Sequence, residues 1–167
     1  MRDLISRAEE LAKAGQYDEA MSLATDLVDR YPGEMEVWSL RAYLHGRSRN
    51  YKDAIADVTR AIEINPVEPV LFFDRGSDAL AMGDDEAAVS DFTRGLELCD
   101  HYNNDYYRES LHFLRAEALV RLGKKEEALA DLMYVREDLK SWTYKLRTKA
   151  DLVADCHALP DKDDRLR

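Results

Sequence analysis

Apolar residues recur at intervals of three and four along most of this chain. That is the period of a helix with one buried face. Gly15, Gly83 and Gly123 interrupt the pattern at places where a tight helix–helix turn needs a permissive backbone. Pro32 and Pro66 mark points where a helix must stop. The elements expected are therefore short paired helices joined by tight turns.

The pairs are copies of one another. Gly15-Gln-Tyr17-Asp-Glu-Ala20 is echoed by Arg49-Asn-Tyr51-Lys-Asp-Ala54, by Gly83-Asp-Asp85-Glu-Ala-Ala88 and by Gly123-Lys-Lys125-Glu-Glu-Ala128. The closing alanines are 34, 34 and 40 residues apart. Twelve residues before each alanine stands a small residue, Ala8, Ala42, Gly76 or Ala116; sixteen before it stands a bulky one, Leu4, Trp38, Phe72 or His112. Seven residues after it comes Leu27, Ala61, Gly95 or Val135. Ala20, Ala54, Ala88 and Ala128 fall early in each second helix, where a small side chain lets two helices approach closely. Tyr17 and Tyr51 are expected to pack across their units and hydrogen-bond at the edge. A single helix pair cannot bury its apolar face alone, so the units must stack.

Over residues 1 to about 140 this arrangement resembles the tetratricopeptide repeat. The resemblance implies an all-α solenoid of about four helix–turn–helix units, near 1–34, 35–68, 69–102 and 109–142, forming a single domain over 1–160. The phase continues to Leu146, Ala150 and Val153. That predicts a lone capping helix over 143–158, with Arg147, Lys149, Asp151 and Asp155 on its outward face. Residues 161–167 read as a disordered tail. Unit two lacks the turn glycine, so Asn50 or a relaxed geometry is expected to serve. Gly95 lies inside a helix, where it is expected to let the next helix approach. The six-residue insertion around Asn103–Arg108 offers two good N-caps, Asn103 and Asn104. It predicts a first helix of unit four that starts early and extends past its neighbours.

Charge narrows the range of partners. Lys plus Arg is 24 and Asp plus Glu is 34, for a net charge of −10. This argues against nucleic acid, bound through cations on phosphate, and against anionic membranes. Residues 1–34 carry −4 and residues 69–102 carry −6, which favours a partner that is basic or mixed in charge. The charged N-terminus and the short apolar runs predict neither a secretory leader nor a membrane span. Cys99 and Cys156 read as buried free thiols, in keeping with a cytoplasmic location.

The sequence holds no phosphate-binding glycine loop, dinucleotide fingerprint or nucleophile elbow, so no catalytic residue, cofactor or metal is expected. Asp84-Asp85 and Glu126-Glu127 suit the positive ends of second helices. The two Cys–His neighbours, Cys99 with His101 and Cys156 with His157, lack zinc spacing.

What remains is binding. In the family resembled, first helices line a concave surface. The matching positions here are Arg2, Ile5, Ser6, Glu9 and Lys13 in unit one, and Glu36, Ser39, Leu40, Tyr43 and Arg47 in unit two. Unit three supplies Val70, Phe73, Asp74, Ser77 and Ala81, and unit four Ser110, Phe113, Leu114, Glu117 and Arg121. Leu4, Trp38 and Phe72 face the packing side. Tyr43, Phe73, Phe113 and Leu114 either pack on the adjacent first helix or form a patch for an apolar anchor from a partner, rimmed by Glu9, Asp74 and Glu117. One subgroup of the family binds the acidic tails of heat-shock chaperones through Lys, Asn and Arg. The matching positions are Ile5, Glu9, Leu40, Val70 and Asp74, which supply no cation or amide, so such tails are not expected. The expected function is a protein–protein interaction module, an adaptor or scaffold holding a polypeptide in its groove. The alternative is a bacterial secretion-type chaperone or a toxin-neutralising protein with one cognate partner.

Overall fold

The computed structural model describes residues 1–142 and 146–160. The helices come in chain order: α1 (Arg2–Lys13), α2 (Tyr17–Arg30), α3 (Met35–Arg47), α4 (Tyr51–Ile64), α5 (Pro69–Met82), α6 (Asp85–Tyr102), α7 (Arg108–Arg121) and α8 (Lys125–Leu132). Two short strands follow, β1 (Lys140–Trp142) and β2 (Leu146–Thr148), and then α9 (Lys149–Ala158). Each helix packs on the next along the chain, and α1 also touches α3 as α5 touches α7. The described residues form an all-α solenoid of four helix pairs, with one small hairpin before α9.

The same turn closes all four pairs. A residue with positive φ follows each first helix: Gly15 (80°), Arg49 (59°), Gly83 (86°) and Gly123 (70°). The next amide then donates back five residues, from Gln16 to Leu11, Asn50 to His45, Asp84 to Ala79 and Lys124 to Leu119, at 2.8–2.9 Å. This left-handed cap satisfies carbonyls that the helix end would otherwise leave bare. In unit two Arg49, not Asn50, takes the left-handed position; Asn50 has φ −88° and stands at the start of α4.

The repeat alanines do what their size suggests. Ala20, Ala54, Ala88 and Ala128 are fully buried, as are Ala8 and Ala116, and Ala42 nearly so. Three apolar clusters each bridge neighbouring units: Ala8 to Leu44 across α1–α3, Ala42 to Leu71 across α3–α5, and Ala79 to Cys156 from α5 to α9. A Cβ on Gly95 would stand 2.9 Å from Leu111 Cδ2, so the missing side chain admits α7 as expected. Trp38 is partly buried and donates from Nε1 to the Pro32 carbonyl at 2.9 Å. Phe72 lies in the core. His112, in the same repeat position, hydrogen-bonds Asp131 at 2.8 Å and stacks on Tyr134.

The C-terminal third departs from expectation in three ways. The insertion is spent on the second helix of unit three: α6 runs 18 residues, while α7 keeps the usual 14. Asn103 closes α6 with φ 51°, and its neighbour Asn104 accepts from the Tyr106 amide; neither caps α7. Asn tolerates the left-handed region, and once α6 ends there, α7 has no reason to start early. Second, the capping helix spans Lys149–Ala158, not 143–158. Lys140–Trp142 pairs antiparallel with Leu146–Thr148 ahead of it, and a reciprocal capping box between Thr148 and Asp151 starts the helix. Third, Arg147 and Lys149 do not face outward. Arg147 belongs to β2, pairs with Asp155 and approaches Glu117 of α7 to 4.0 Å. Lys149 Nζ donates to the Val135 carbonyl at 2.8 Å and to Glu137 at 2.6 Å. The expected tail, 161–167, lies outside the described residues.

Candidate functional site

First helices present their free faces to one side of the stack, and two adjoining hollows open there. The outer one, about 690 Å³, lies between α1, α3 and α5 and is lined mainly by Ile5, Leu40, Tyr43, Val70 and Leu71, with Arg2, Ser6, Glu9, Lys13, Met35, Glu36, Ser39 and Asp74 around them. The inner one, about 880 Å³, lies between α3, α5 and α7. Ala42, Tyr43, Gly46, Arg47, Arg49, Tyr51 and Val58 line one side, and Phe73, Asp74, Ser77, Asp78, Ala81 and Leu114 the other. Tyr43 and Asp74 belong to both, so together the hollows make one groove with a waist.

Each lining position expected in units one to three falls in this groove: Glu9, Tyr43, Arg47, Phe73, Asp74 and Ser77 are all in its walls. Tyr43 is 54% exposed. Phe73 is half-buried against Tyr107, with ring centroids 5.4 Å apart. Arg47 Nη2 reaches Tyr17 Oη at 3.4 Å, which is the edge hydrogen bond expected of that tyrosine. Unit four differs. Phe113 is fully buried and Leu114 is 1% exposed, in the cluster that includes Leu152 and Cys156 of α9. Only Leu114 touches the groove, at its inner end. Glu117 is 2% exposed and pairs with Arg121 at 3.4 Å, and Arg121 bridges to Asp85 at 3.1 Å and to the Leu80 carbonyl at 2.9 Å. These four residues therefore join unit four to its neighbours, because the hairpin and α9 pack on α7 and complete its core. The free wall ends at α7.

An ion-pair ladder runs through the stack. Arg41 grips Asp57 with two bonds of 2.7 Å, Arg75 grips Asp91 at 2.8 and 2.6 Å, and Arg115 grips Asp131 at 2.8 and 2.7 Å. Arg75 and Arg115 also donate to Thr59 and Thr93 of the preceding unit, at 3.2 and 3.0 Å. Each pair joins the first and second helices of its unit, and the two threonine bonds tie that unit to the one before. Burial works to raise the Asp131 carboxyl, but bonds from Arg115 and His112 overcome it and hold it below the ordinary value. The signal was present as Arg–x15–Asp, three times in phase. Unit one breaks it, with Leu23 opposite Arg7.

Asp74 and Asp78 behave otherwise. They stand one turn apart on α5, and no side-chain cation or hydrogen-bond donor meets either among the described residues. Burial pushes both carboxyls up to about 7, helped at Asp78 by the charge of Asp74. The thiols of Cys99 and Cys156 are buried, which raises them and leaves them unreactive. Among the described residues no cluster of His, Cys, Asp or Glu could hold a metal ion, and no helix is long and apolar enough to cross a membrane.

Residues 5–69 match the family model described as tetratricopeptide repeat, and the helix pairs, turn caps and buried alanines continue in the same phase through unit four. Residues 5–69 carry tetratricopeptide repeats. Among curated proteins it is 32% identical over 81 residues to the STIP1 homolog of Dictyostelium discoideum, covering 48% of this chain and 13% of that protein. It is 26% identical over 111 residues to the SGT1 homolog of Oryza sativa subsp. japonica, covering 59% of this chain and 30% of that one. The chain thus spans less than a third of either relative. Solved tetratricopeptide folds superpose closely. The TPR2B domain of yeast Sti1, in complex with pHsp70, gives a TM-score of 0.68 at 18% identity over 72% of this chain and 96% of that one. YrrB, described as having an unusual peptide-binding site, gives 0.67 at 17% over 78% and 64%. MamA gives 0.69 at 14% over 80% and 72%. At these identities the likeness establishes the fold alone.

Proposed function

We propose that this chain is a protein–protein interaction module, an adaptor or scaffold that holds a segment of a partner polypeptide in the groove of units one to three. The observation that carries the reading is the groove itself. It is a continuous trough whose outer hollow is walled by apolar side chains, with Tyr43 half in solvent at its waist. An exposed aromatic beside an apolar hollow, ringed by charged side chains, suits an anchor residue from a partner. The Sti1 domain solved with pHsp70 and the peptide site of YrrB support binding by this fold.

The groove chemistry favours a partner other than the acidic tail of a heat-shock chaperone. Ile5, Leu40 and Val70 are apolar, and Glu9 and Asp74 would repel a carboxylate.

The test is affinity purification from the native host with the wild-type chain and with a Tyr43→Ala/Phe73→Ala variant. Circular dichroism would confirm that the variant is folded. Truncating two anchors is expected to cost about 2 kcal/mol or more, roughly a thirtyfold loss of affinity, and so to deplete the partner. Undiminished recovery by a folded variant would reject the groove. One stoichiometric partner would point to the secretion-chaperone or neutraliser form, and several partners to an adaptor.

A further inference from the structure

The ion-pair ladder defines how this molecule treats carboxylates that leave water. Asp57, Asp91 and Asp131 are buried, and each is held by two bonds from an arginine of the same unit. Glu117 is met by Arg121. A carboxylate withdrawn from solvent is costly unless a cation or several donors compensate it. Asp74 and Asp78 differ: they are partly buried, and no side-chain cation or donor meets either among the described residues. Both sit in the floor of the groove, Asp74 at the waist shared by the two hollows and Asp78 in the inner one.

Their surroundings are built around them. Gly46 of α3 faces Asp78, and a Cβ there would lie 3.2 Å from Asp78 Oδ1, so the glycine leaves room for the carboxyl. Ring contact between Phe73 and Tyr107 fixes the side of α5 next to Asp74. The titratable groups that share the inner hollow with the pair are Tyr43 and Arg47 of α3, Arg49 of the turn and Tyr51 of α4; Arg2, Glu9 and Lys13 of α1 and Glu36 of α3 share the outer hollow with Asp74, and Tyr107, just before α7, lies near Asp74. Arg47 is turned to Tyr17. Tyr107 is itself raised, by burial first and then by the charge of Asp74. The apolar outer hollow begins on the other side of Asp74.

We propose that the waist of the groove is a cation subsite. In it the Asp74 and Asp78 carboxylates receive the ammonium or guanidinium of a lysine or arginine in the bound polypeptide, while an apolar side chain next to that cation fills the outer hollow. This deepens the groove reading and rests on it. The occupant is a basic segment with a large apolar neighbour, the charge complement of what the floor offers. Because burial holds both carboxyls near 7, the incoming cation expels protons, and binding tightens from pH 5 to pH 8.

The probes are capped, fluorescein-labelled Gly/Ser peptides carrying one Leu and one Lys at separations of one to four residues. Matched twins replace Lys by norleucine. Anisotropy is measured with the full chain, with Asp74→Asn/Asp78→Asn, and with Asp3→Asn/Asp18→Asn, which removes equal charge from exposed sites outside the groove. The expected result at pH 8 is at least one Lys peptide bound about tenfold or more tighter than its twin, a difference of about 1.4 kcal/mol. That preference is lost in Asp74→Asn/Asp78→Asn, kept in Asp3→Asn/Asp18→Asn, and shrinks at pH 5. No Lys preference in any pair, or a preference that survives Asp74→Asn/Asp78→Asn, overturns the cation subsite. If Tyr43→Ala still weakens the twins equally in that case, the groove reading stands without it; if Tyr43→Ala also has no effect, both fall.

Discussion

At the scale of single residues, the turn of unit two shows a local rule set aside. Gly15, Gly83 and Gly123 take the left-handed region at no steric cost, whereas Arg49 takes it with φ 59°. For an L-residue with a Cβ that conformation costs about 1–2 kcal/mol. The phase of the repeat imposes it, because the Asn50 amide must still reach the His45 carbonyl to close α3. Arg49→Gly should therefore stabilise the chain by about 0.5–1 kcal/mol, the relief being partly offset by the greater freedom of glycine in the unfolded chain. Urea unfolding checks this; a variant no more stable than wild type would show that the Arg49 side chain supplies compensating contacts.

Pairs of helices are where size complementarity is decided. The small position of each first helix stands 16 residues before a residue of the second: Ala8 before Ala24, Ala42 before Val58, Gly76 before Phe92, and Ala116 before Leu132. Where the second partner is largest the first has no side chain at all. A Cβ on Gly76 would fall 2.6 Å from Phe92 Cε1, and Phe92 is fully buried. Gly76→Ala gains about 1 kcal/mol of helix propensity, yet forces apart a packed ring at a cost of about 1–3 kcal/mol. A net loss of about 1 kcal/mol is expected. Phe92→Val alone should cost about 2 kcal/mol through the cavity it leaves. Added to Gly76→Ala it rebuilds the pairing of unit two, so the double variant should be more stable than the sum of the singles by about 1 kcal/mol or more. Thermal melts of the four proteins measure that coupling, and strict additivity would dismiss the size-matching account. The Arg–Asp ladder works at the same scale, joining first and second helices by bidentate bonds that a purely apolar stripe would not orient.

Across the whole molecule, the groove and the stability curve share a cause. Asp74 and Asp78 carry folded-state values of about 7 against an ordinary 3.8. Between those limits the folded chain holds more protons than the unfolded one. Its stability contribution from these groups is full below about pH 4 and is lost as pH rises through about 7. Asp131 acts oppositely, since its lowered value contributes stability that is lost only in acid, below the ordinary carboxylate range. From pH 5 to pH 8 the carboxyl pair should therefore make the melting temperature fall, and Asp74→Asn/Asp78→Asn should flatten that slope. Calorimetric scans across this range test it, and a slope unchanged in the double variant would mean that both carboxyls are ionised throughout.

Much of this was legible in the residue pattern because a repeat states each constraint several times. The phased alanines located the helix pairs, and the small and bulky positions before them located the packed faces. The free face of units one to three followed from the resemblance to the repeat family, carried over position by position. The pattern did not reach the C-terminal third. Phe113, Leu114, Glu117 and Arg121 hold the same register as groove residues in earlier units, but their exposure depends on what lies beyond them in the stack. The hairpin and α9, which pack on α7 through contacts distant in sequence, decide that. Period and side-chain size are local quantities, fixed once the order of residues is fixed. Which face meets water, and which carboxylates find an arginine, depend on how whole helices come to rest against one another, and only the folded chain settles those.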